Sequence, residues 1–319
     1  MKAMICGVGG QDGPYLARVL LEKGYEVVGT SRDANARSFR NLSQLGIRER
    51  VQVTSMALDD FHSVLVTVNR YRPDEVYNLA GQSSVGLSFE QPMETIESTV
   101  IGTLNLLEAI RQVERPIRYY NASSGESFGD TGDMPATEAT PFRPRSPYGV
   151  AKASAHGLVM NYREAYGLFA CSGILFNHES PLRPRHFVTQ KIVSAAARIA
   201  SGSKEILPLG NMDIHRDWGW APEYVEAMSL MLQQDKPDDF VIGTGKTVSL
   251  AYFVERAFDH FRLDWHDHVT VDPALRRPSD ISIGRADPAK AHAKLGWRAR
   301  TSVDSVVDLM CEAQNHRPN

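Results

Sequence analysis

The chain is short of several things, and each shortage closes a class of explanation. It carries 3 cysteines in 319 residues. Cys6, Cys171 and Cys311 lie far apart and form no CxxC pair, so there is no support for a zinc site or a disulfide framework, and a reducing compartment is expected. All three read as buried small hydrophobes. Basic residues are not in excess: 35 Lys and Arg against 38 Asp and Glu leave a formal net charge of -3, without the electrostatic footprint of a nucleic-acid binder. No stretch approaches the roughly 20 apolar residues of a membrane span. The opening MKAMICGVGGQDG passes from a short apolar strand straight into glycines, which does not read as a signal peptide. A cytoplasmic location is the resulting expectation. No repeats, low-complexity tracts or long linkers appear. With 42% hydrophobic and 23% charged residues, the chain has room for one large α/β domain and a smaller lobe.

What is present is rhythm. KAMICG, EVVGTS, DEVYNLAG and IRYYNASS read as strands. GPYLARVLLEKG, FHSVLVTVNRYR and the region TIESTVIGTLNLLEAIRQ read as the helices between them. Alternating strands and helices predict βαβ units in an open, doubly wound parallel sheet, in which ligands bind beyond the carboxyl ends of the strands. After ACSGILFNHESPLRPRHF the alternation breaks up. QKIVSAAARIASG, APEYVEAMSLMLQQ, VSLAYFVERAFDHF and SVDSVVDLMCEAQ keep helical periodicity, and the region beyond about 175 reads mostly as a lobe covering the substrate.

CGVGGQDGPYL sets Gly7, Gly10 and Gly13 at GxxGxxG spacing between the first strand and the first helix. Glycines there permit a tight turn and a close approach of backbone to a pyrophosphate at a helix N-terminus. At the tip of the second strand, a small residue followed by arginine suits a 2′-phosphate, whereas an acid would hold a ribose 2′-hydroxyl. Ser31 followed by Arg32 therefore points to NADP, with Arg37 as a helper and Asp33 within reach of a ribose.

SPYGVAKASAHG places Tyr148 and Lys152 one helical turn apart on one face. An ammonium beside a phenol favours the phenolate and is expected to draw the tyrosine from its usual ~10 toward neutrality. YNASSGESFGD ends an apolar strand in hydroxyls and then, at once, in the carboxylate of Glu126, an acid that a cofactor-binding turn does not need.

These elements together resemble the extended short-chain dehydrogenase/reductase family. The resemblance implies a Tyr/Lys pair assisted by a strand-end hydroxyl, the place of Ser124 or, as the weaker candidate, Ser123. In the nucleotide-sugar 4,6-dehydratases of this family an acid two residues beyond that hydroxyl removes the proton at sugar C5. That is the place of Glu126. GQDGPYLARVLLEKGYEV, EVYNLAGQSSVGLSFEQP, RSPYGVAK, GILFNHESPLR, FVTQKI and LGNMDIHRDWGWAPEYVEAM, followed by PDDFVIGTG and RRPSD, are similar to the GDP-mannose 4,6-dehydratases. The likeness covers nearly the whole chain and is weakest after Asp280.

Carried over by position, the resemblance implies that Ser124, Glu126, Tyr148 and Lys152 are catalytic. It places Gly7, Gly10, Gln11, Asp12 and Gly13 at the pyrophosphate and Arg32 at the 2′-phosphate. Leu79, Ala80 and Gln82 would flank the cofactor, Tyr148 and Lys152 would touch it, and His178 and Arg183 would add contacts. Ser83, Asn177, Val188, Lys191, Arg216, Arg277 and Asp280 would surround a GDP-sugar, whose diphosphate calls for guanidinium forks. Residues 1–172 with about 213–248 would form the NADP domain, and about 173–212 with 249–319 the nucleotide-sugar lobe. A homodimer or homotetramer is implied, with helices near 92–112 and 146–166 as the dimer surface. Five positions depart from the family pattern. Ser-Gly-Glu replaces Thr-Ser-Glu at 124–126, and Gly9 replaces threonine. Ala57 and Asp280 stand where aspartate and glutamate are usual.

The implied reaction is dehydration of GDP-mannose with no net use of cofactor. The alternatives are dehydration of another sugar such as GDP-manno-heptose, a GDP-4-keto-6-deoxymannose reductase, which consumes NADPH and has no task for Glu126, and a catalytically silent nucleotide-binding protein.

Overall fold

The computed structural model describes residues 1–36 and 38–314. Arg37, weighed above as a helper for the 2′-phosphate, lies outside the described residues. In chain order the strands are Lys2–Cys6 (β1), Glu26–Ser31 (β2), Val51–Ser55 (β3), Glu75–Asn78 (β4), Arg118–Ser124 (β5), Ala170–Leu175 (β6), Asn177–Glu179 (β7), Leu207–Leu209 (β8), His215–Trp220 (β9), Phe240–Ile242 (β10), Thr247–Ser249 (β11) and Val269–Val271 (β12).

Seven of these form one sheet in the order β10-β6-β5-β4-β1-β2-β3, every pairing parallel. The chain leaves β1 for β2 and β3, then returns to the other side of β1 with β4. That reversal opens a crevice beyond the carboxyl ends of β1 and β4. β1 shows why the sheet is covered on both faces. Ala3 and Ile5 pack with Leu16 and Leu20 of the helix Asp12–Glu22 and with Met228 of the helix Ala221–Met231. Met4 and Cys6 point the other way, toward Val64 and Val68 of the helix Phe61–Tyr71 and Leu106 of the helix Gly102–Gln112. All four are fully buried, so side chains alternating between faces meet apolar partners on each. Such burial stabilises by about 1.5–3 kcal/mol for each large aliphatic side chain.

The remaining strands make a three-stranded sheet, with β11 antiparallel and β7 parallel to a central β9, and a parallel β8–β12 pair. A separate apolar cluster joins Ile192 and Ala196 of the helix Val188–Ala200 to Phe253 and Phe258 of the helix Leu250–His260 and to Met310 of the helix Val303–Glu312.

Two expectations differ in detail. The segment read as one helix over TIESTVIGTLNLLEAIRQ is a helix Pro92–Ile96, a wide π-type turn Glu97–Ile101 and a helix Gly102–Gln112. Ser98 in that turn donates to the carbonyl of Glu94 at 2.6 Å and accepts from the Gln82 amide at 3.2 Å, tying the turn to the loop after β4. In VSLAYF, Val248 and Ser249 belong to β11, and the Ser249 hydroxyl caps the helix by accepting from the Tyr252 amide at 3.1 Å. The three cysteines are free and buried, as expected. Burial pushes the Cys6 and Cys311 thiols up to about 12. Among the described residues, no helix is long and apolar enough to cross a membrane.

Candidate active site

A cleft of about 1210 Å³ runs along the carboxyl ends of the main strands. All 22 residues expected at the site line it, from Gly7 to Asp280. Its floor begins at the glycine turn. Gly7 has φ +80°, and its amide donates to the Thr30 carbonyl at 3.1 Å, closing the loop onto β2. A Cβ at Gly7 would fall 2.9 Å from Ala80 Cα, and one at Gly13 would fall 2.6 Å from Val8 Cα. These two glycines allow strand, loop and helix to meet. A Cβ at Gly10 would meet nothing closer than the Gly7 carbonyl at 3.4 Å, so this turn faces open space, as a backbone cradle for a pyrophosphate must. Gly9 lies an ordinary 3.6 Å from the Phe39 ring and has no such steric reason to be glycine.

Beside the turn, Gln11 donates to the His178 carbonyl at 3.0 Å and accepts from the Ser180 hydroxyl at 3.2 Å. The His178 Nε2 lies 2.9 Å from the Asp12 carboxylate, and its Nδ1 lies 2.8 Å from the Phe176 carbonyl. Burial is the largest single influence and drives the Asp12 carboxyl upward, but His178, Gln11 and Arg183 together bring it below the usual range. For His178, burial is the largest single influence and pulls down, but Asp12 and the Phe176 carbonyl together leave the imidazole raised. Residues 11, 12 and 178 thus brace the turn after β1 against β7. Arg183 reaches Glu179 at 3.2 Å and stacks 3.8 Å from the Phe187 ring centre. Leu79, Ala80 and Gln82 continue the wall in the loop after β4. At the tip of β2, Arg32 is paired to Glu94 at 3.0 Å; the arginine is largely exposed and the glutamate partly. Asp33 takes part in its own loop. Its carboxylate accepts from the amides of Asn35 and Ala36 at 2.9 and 3.0 Å, closing its own loop.

Tyr148 and Lys152 are placed by a well-capped helix, Pro147–Tyr166. The Ser146 hydroxyl accepts from the Gly149 amide at 3.0 Å, Pro147 occupies the first turn, and Gly167 stops the helix at φ +68°. Gly149 was not singled out by its sequence. A Cβ there would lie 2.8 Å from the Glu126 carbonyl, so this glycine lets the helix press against the turn Gly125–Ser127 at the end of β5. Lys152 donates to the Ala122 carbonyl at 2.8 Å, and its ammonium is 5.7 Å from the Tyr148 ring centre. Burial brings Lys152 down to about 8, against a small upward pull from Asp12. The expected acidification of Tyr148 is not what this arrangement gives. Burial pushes the phenol up to about 12, Ser124 pulls it down, and Glu126 pushes it up again. Desolvation of the phenolate is the largest influence on this phenol.

Ser124 ends β5, and its hydroxyl accepts from the Glu126 amide at 3.2 Å. The Ser123 hydroxyl is buried without a hydrogen-bond partner. Glu126 sits at the bottom of the cleft, 3.8 Å from Arg216. Arg216 is fixed by the carbonyls of His215 and Ile281 at 3.0 and 2.8 Å and by Asp280 at 3.0 Å, which also takes Arg277 at 3.1 Å. Burial raises the Glu126 carboxyl, Arg216 and Arg277 restrain it, and Asp280 adds to the rise. The balance is a carboxyl above its ordinary range. Ser83, Asn177, Val188 and Lys191 line the same cleft. Sequence reasoning missed Phe176, whose ring lies 3.1 Å from where a Cβ at Gly125 would sit. It missed Asp217 too, whose carboxylate gathers the amides of Thr244 and Gly245 at 3.0 and 2.8 Å and so ties the turn before β11 to β9.

A doubly wound sheet with this cleft at its switch point defines the class, an extended short-chain dehydrogenase/reductase. Comparison narrows it. Residues 4–310 match the model of the GDP-mannose 4,6 dehydratase family. The chain is 44% identical to GDP-mannose 4,6 dehydratase 1 of Arabidopsis thaliana, over 97% of this chain and 88% of that one. It is 42% identical to the human GDP-mannose 4,6 dehydratase, over 98% and 90%. A solved structure of Thermus thermophilus UDP-glucose 4-epimerase in complex with NAD superposes with a TM-score of 0.85 at 26% identity, covering 99% of each chain. The chain belongs to the GDP-mannose 4,6 dehydratase family.

Proposed function

We propose that the protein converts GDP-mannose to GDP-4-keto-6-deoxymannose, with NADP as a resident hydride carrier that is regenerated in each turnover. The observation that carries this reading is Glu126, a buried carboxyl beside Ser124 and Tyr148 and restrained by Arg216. Simple redox chemistry has no use for it. Family membership and the Arabidopsis and human relatives support the substrate. The NAD-bound epimerase structure supports a nicotinamide dinucleotide in the cleft.

The residues fit such a cofactor. The turn at Gly7, Gly10, Gln11, Asp12 and Gly13 would hold the pyrophosphate, Arg32 the 2′-phosphate, and Leu79, Ala80, Gln82, His178 and Arg183 the remainder, with Lys152 at the ribose. A bound oxidised nicotinamide supplies the hydride acceptor, a positive charge favouring the phenolate, and, once reduced, the hydride donor. Tyr148, hydrogen-bonded with Ser124, takes the proton of the C4 hydroxyl as C4 becomes a ketone. The ketone acidifies C5–H. Glu126 removes that proton, C5–C6 gains double-bond character, and the C6 hydroxyl leaves as water on a proton that Glu126 returns. C6 would then be completed by the hydride held by the reduced cofactor, and Tyr148 returns its proton to C5, which gives the 6-deoxy-4-keto sugar. A carboxyl raised by burial is the stronger base, and the arginines keep it available as carboxylate. Lys191, Arg216 and Arg277 supply the cations for the diphosphate, with Ser83, Asn177, Val188 and Asp280 around the nucleotide.

A homodimer or homotetramer in the cytoplasm belongs to the same reading. Met93, Ile101, Val150, Met160 and Tyr166 expose apolar surface on the two helical segments expected at the dimer contact. The test is to incubate the purified protein with GDP-mannose and a trace of NADP+, then weigh the product. Loss of one water without accumulating NADPH is expected. An unchanged sugar, or steady consumption of NADPH with a keto substrate, overturns the reading.

A further inference from the structure

The pairing of Arg32 with Glu94 changes what the tip of β2 can select. Arg32 Nη1 is 3.0 Å from Glu94 Oε1, and both line the cleft. Glu94 is held there by its own backbone: it lies in the short helix Pro92–Ile96, whose end is tied through Ser98 to Gln82 of the cofactor wall. The guanidinium expected to receive a 2′-phosphate therefore already serves a carboxylate. A phosphate on the same fork would stand beside that fixed negative charge, because carboxylate and phosphate both only accept hydrogen bonds. A ribose 2′-hydroxyl meets no such conflict, since it can donate to the acid, as riboses do to the acids of NAD sites.

We propose that Glu94 is the specificity-determining residue for the 2′ position, holding down the preference for NADP over NAD that Ser31 and Arg32 would otherwise confer. The inference rests on the reading that Arg32 meets the 2′-phosphate. Glu94 lies 62 residues from Arg32 in the chain, which is why the motif at 31–32 alone overstates the selectivity.

Equilibrium titrations of the full chain with NADPH and NADH, followed by nicotinamide fluorescence, measure the preference as a ratio of dissociation constants. Removing a unit charge from within about 6 Å of a phosphate at a protein surface is worth about tenfold in affinity. Glu94→Gln should raise the NADPH-over-NADH ratio by about that factor, mainly through NADPH. Arg32→Ala should lower the ratio, and in the double variant the effect of Glu94→Gln should vanish, because it acts through the guanidinium. If Arg32→Ala lowers the ratio but Glu94→Gln leaves it unchanged, the inference fails and the Arg32 reading stands. If Arg32→Ala leaves it unchanged, both fail. The Glu94 side chain is partly exposed, so the substitution is expected to leave the fold intact, and a matched thermal melt verifies it.

Discussion

Gly13 and Glu126 line the same cleft and answer to different forces. Around Gly13 the shape is steric: backbone meets backbone, and the sequence requirement is the absence of a side chain. Around Glu126 the shape is electrostatic. Burial pushes the carboxyl up, two arginines pull it back, and Asp280 divides their attention. A steric site either fits or breaks, whereas an electrostatic one can be tuned by single charges.

The sharpest way to break the steric side is Gly13→Ala, whose Cβ would collide with Val8 Cα at 2.6 Å and its carbonyl oxygen at 2.7 Å. Backbone cannot swing aside as a side chain can. A loss of about 3 kcal/mol, the upper end for overpacking, is expected in denaturant unfolding, together with loss of nucleotide binding. An alanine variant that binds and unfolds like the parent would deny that steric fit governs this end.

On the electrostatic side, Arg216→Ala removes the larger of the two restraints on Glu126. The carboxyl then rises further, more of it is protonated at a given pH, and the carboxylate needed as base is lost sooner on acidification. The acid limb of the kcat profile should move to higher pH, and each pKa unit of that move is worth about a factor of ten in rate at a fixed pH on the limb, with little change on the plateau above it. Arg216→Lys should restore the position of the limb but not the full rate, since an ammonium keeps the charge without the fork. An unmoved limb in the alanine variant would remove Arg216 from the control of Glu126.

Gly125 lies between the two regimes. A Cβ there approaches the Phe176 ring at 3.1 Å, close but against a side chain that can shift. Gly125→Ala should cost about 1 kcal/mol, and Phe176→Leu should relieve most of that cost when the two are combined. Additive losses would show that the ring is not the obstacle.

The contrast also sorts what could be read from the sequence. The parallel sheet, the glycine turn and the Tyr148/Lys152 pair are local patterns, so spacing alone exposed them. The meeting of Glu126, Arg216 and Asp280 joins distant parts of the chain and was reachable only through family resemblance. Glu94, Phe176 and Asp217 carry no local signature, because each matters only through a partner that folding brings near. The π-type turn at 97–101 was hidden inside a helical period. Spacing shows that a lysine lies one turn from Tyr148, but not that the phenol is buried, and burial is the largest influence on its proton.

The division of labour between Tyr148 and Glu126 is the centre of the account, and Glu126→Gln tests it most directly. With GDP-mannose and stoichiometric NADP+, this variant should show reduced-nicotinamide absorbance that rises once and persists, while the sugar loses no water and turnover falls by about a thousandfold, within the usual range for a lost general base. Tyr148→Phe, in parallel, should show neither the absorbance nor the product. A glutamine variant that loses water at the parent rate would contradict the assignment of Glu126.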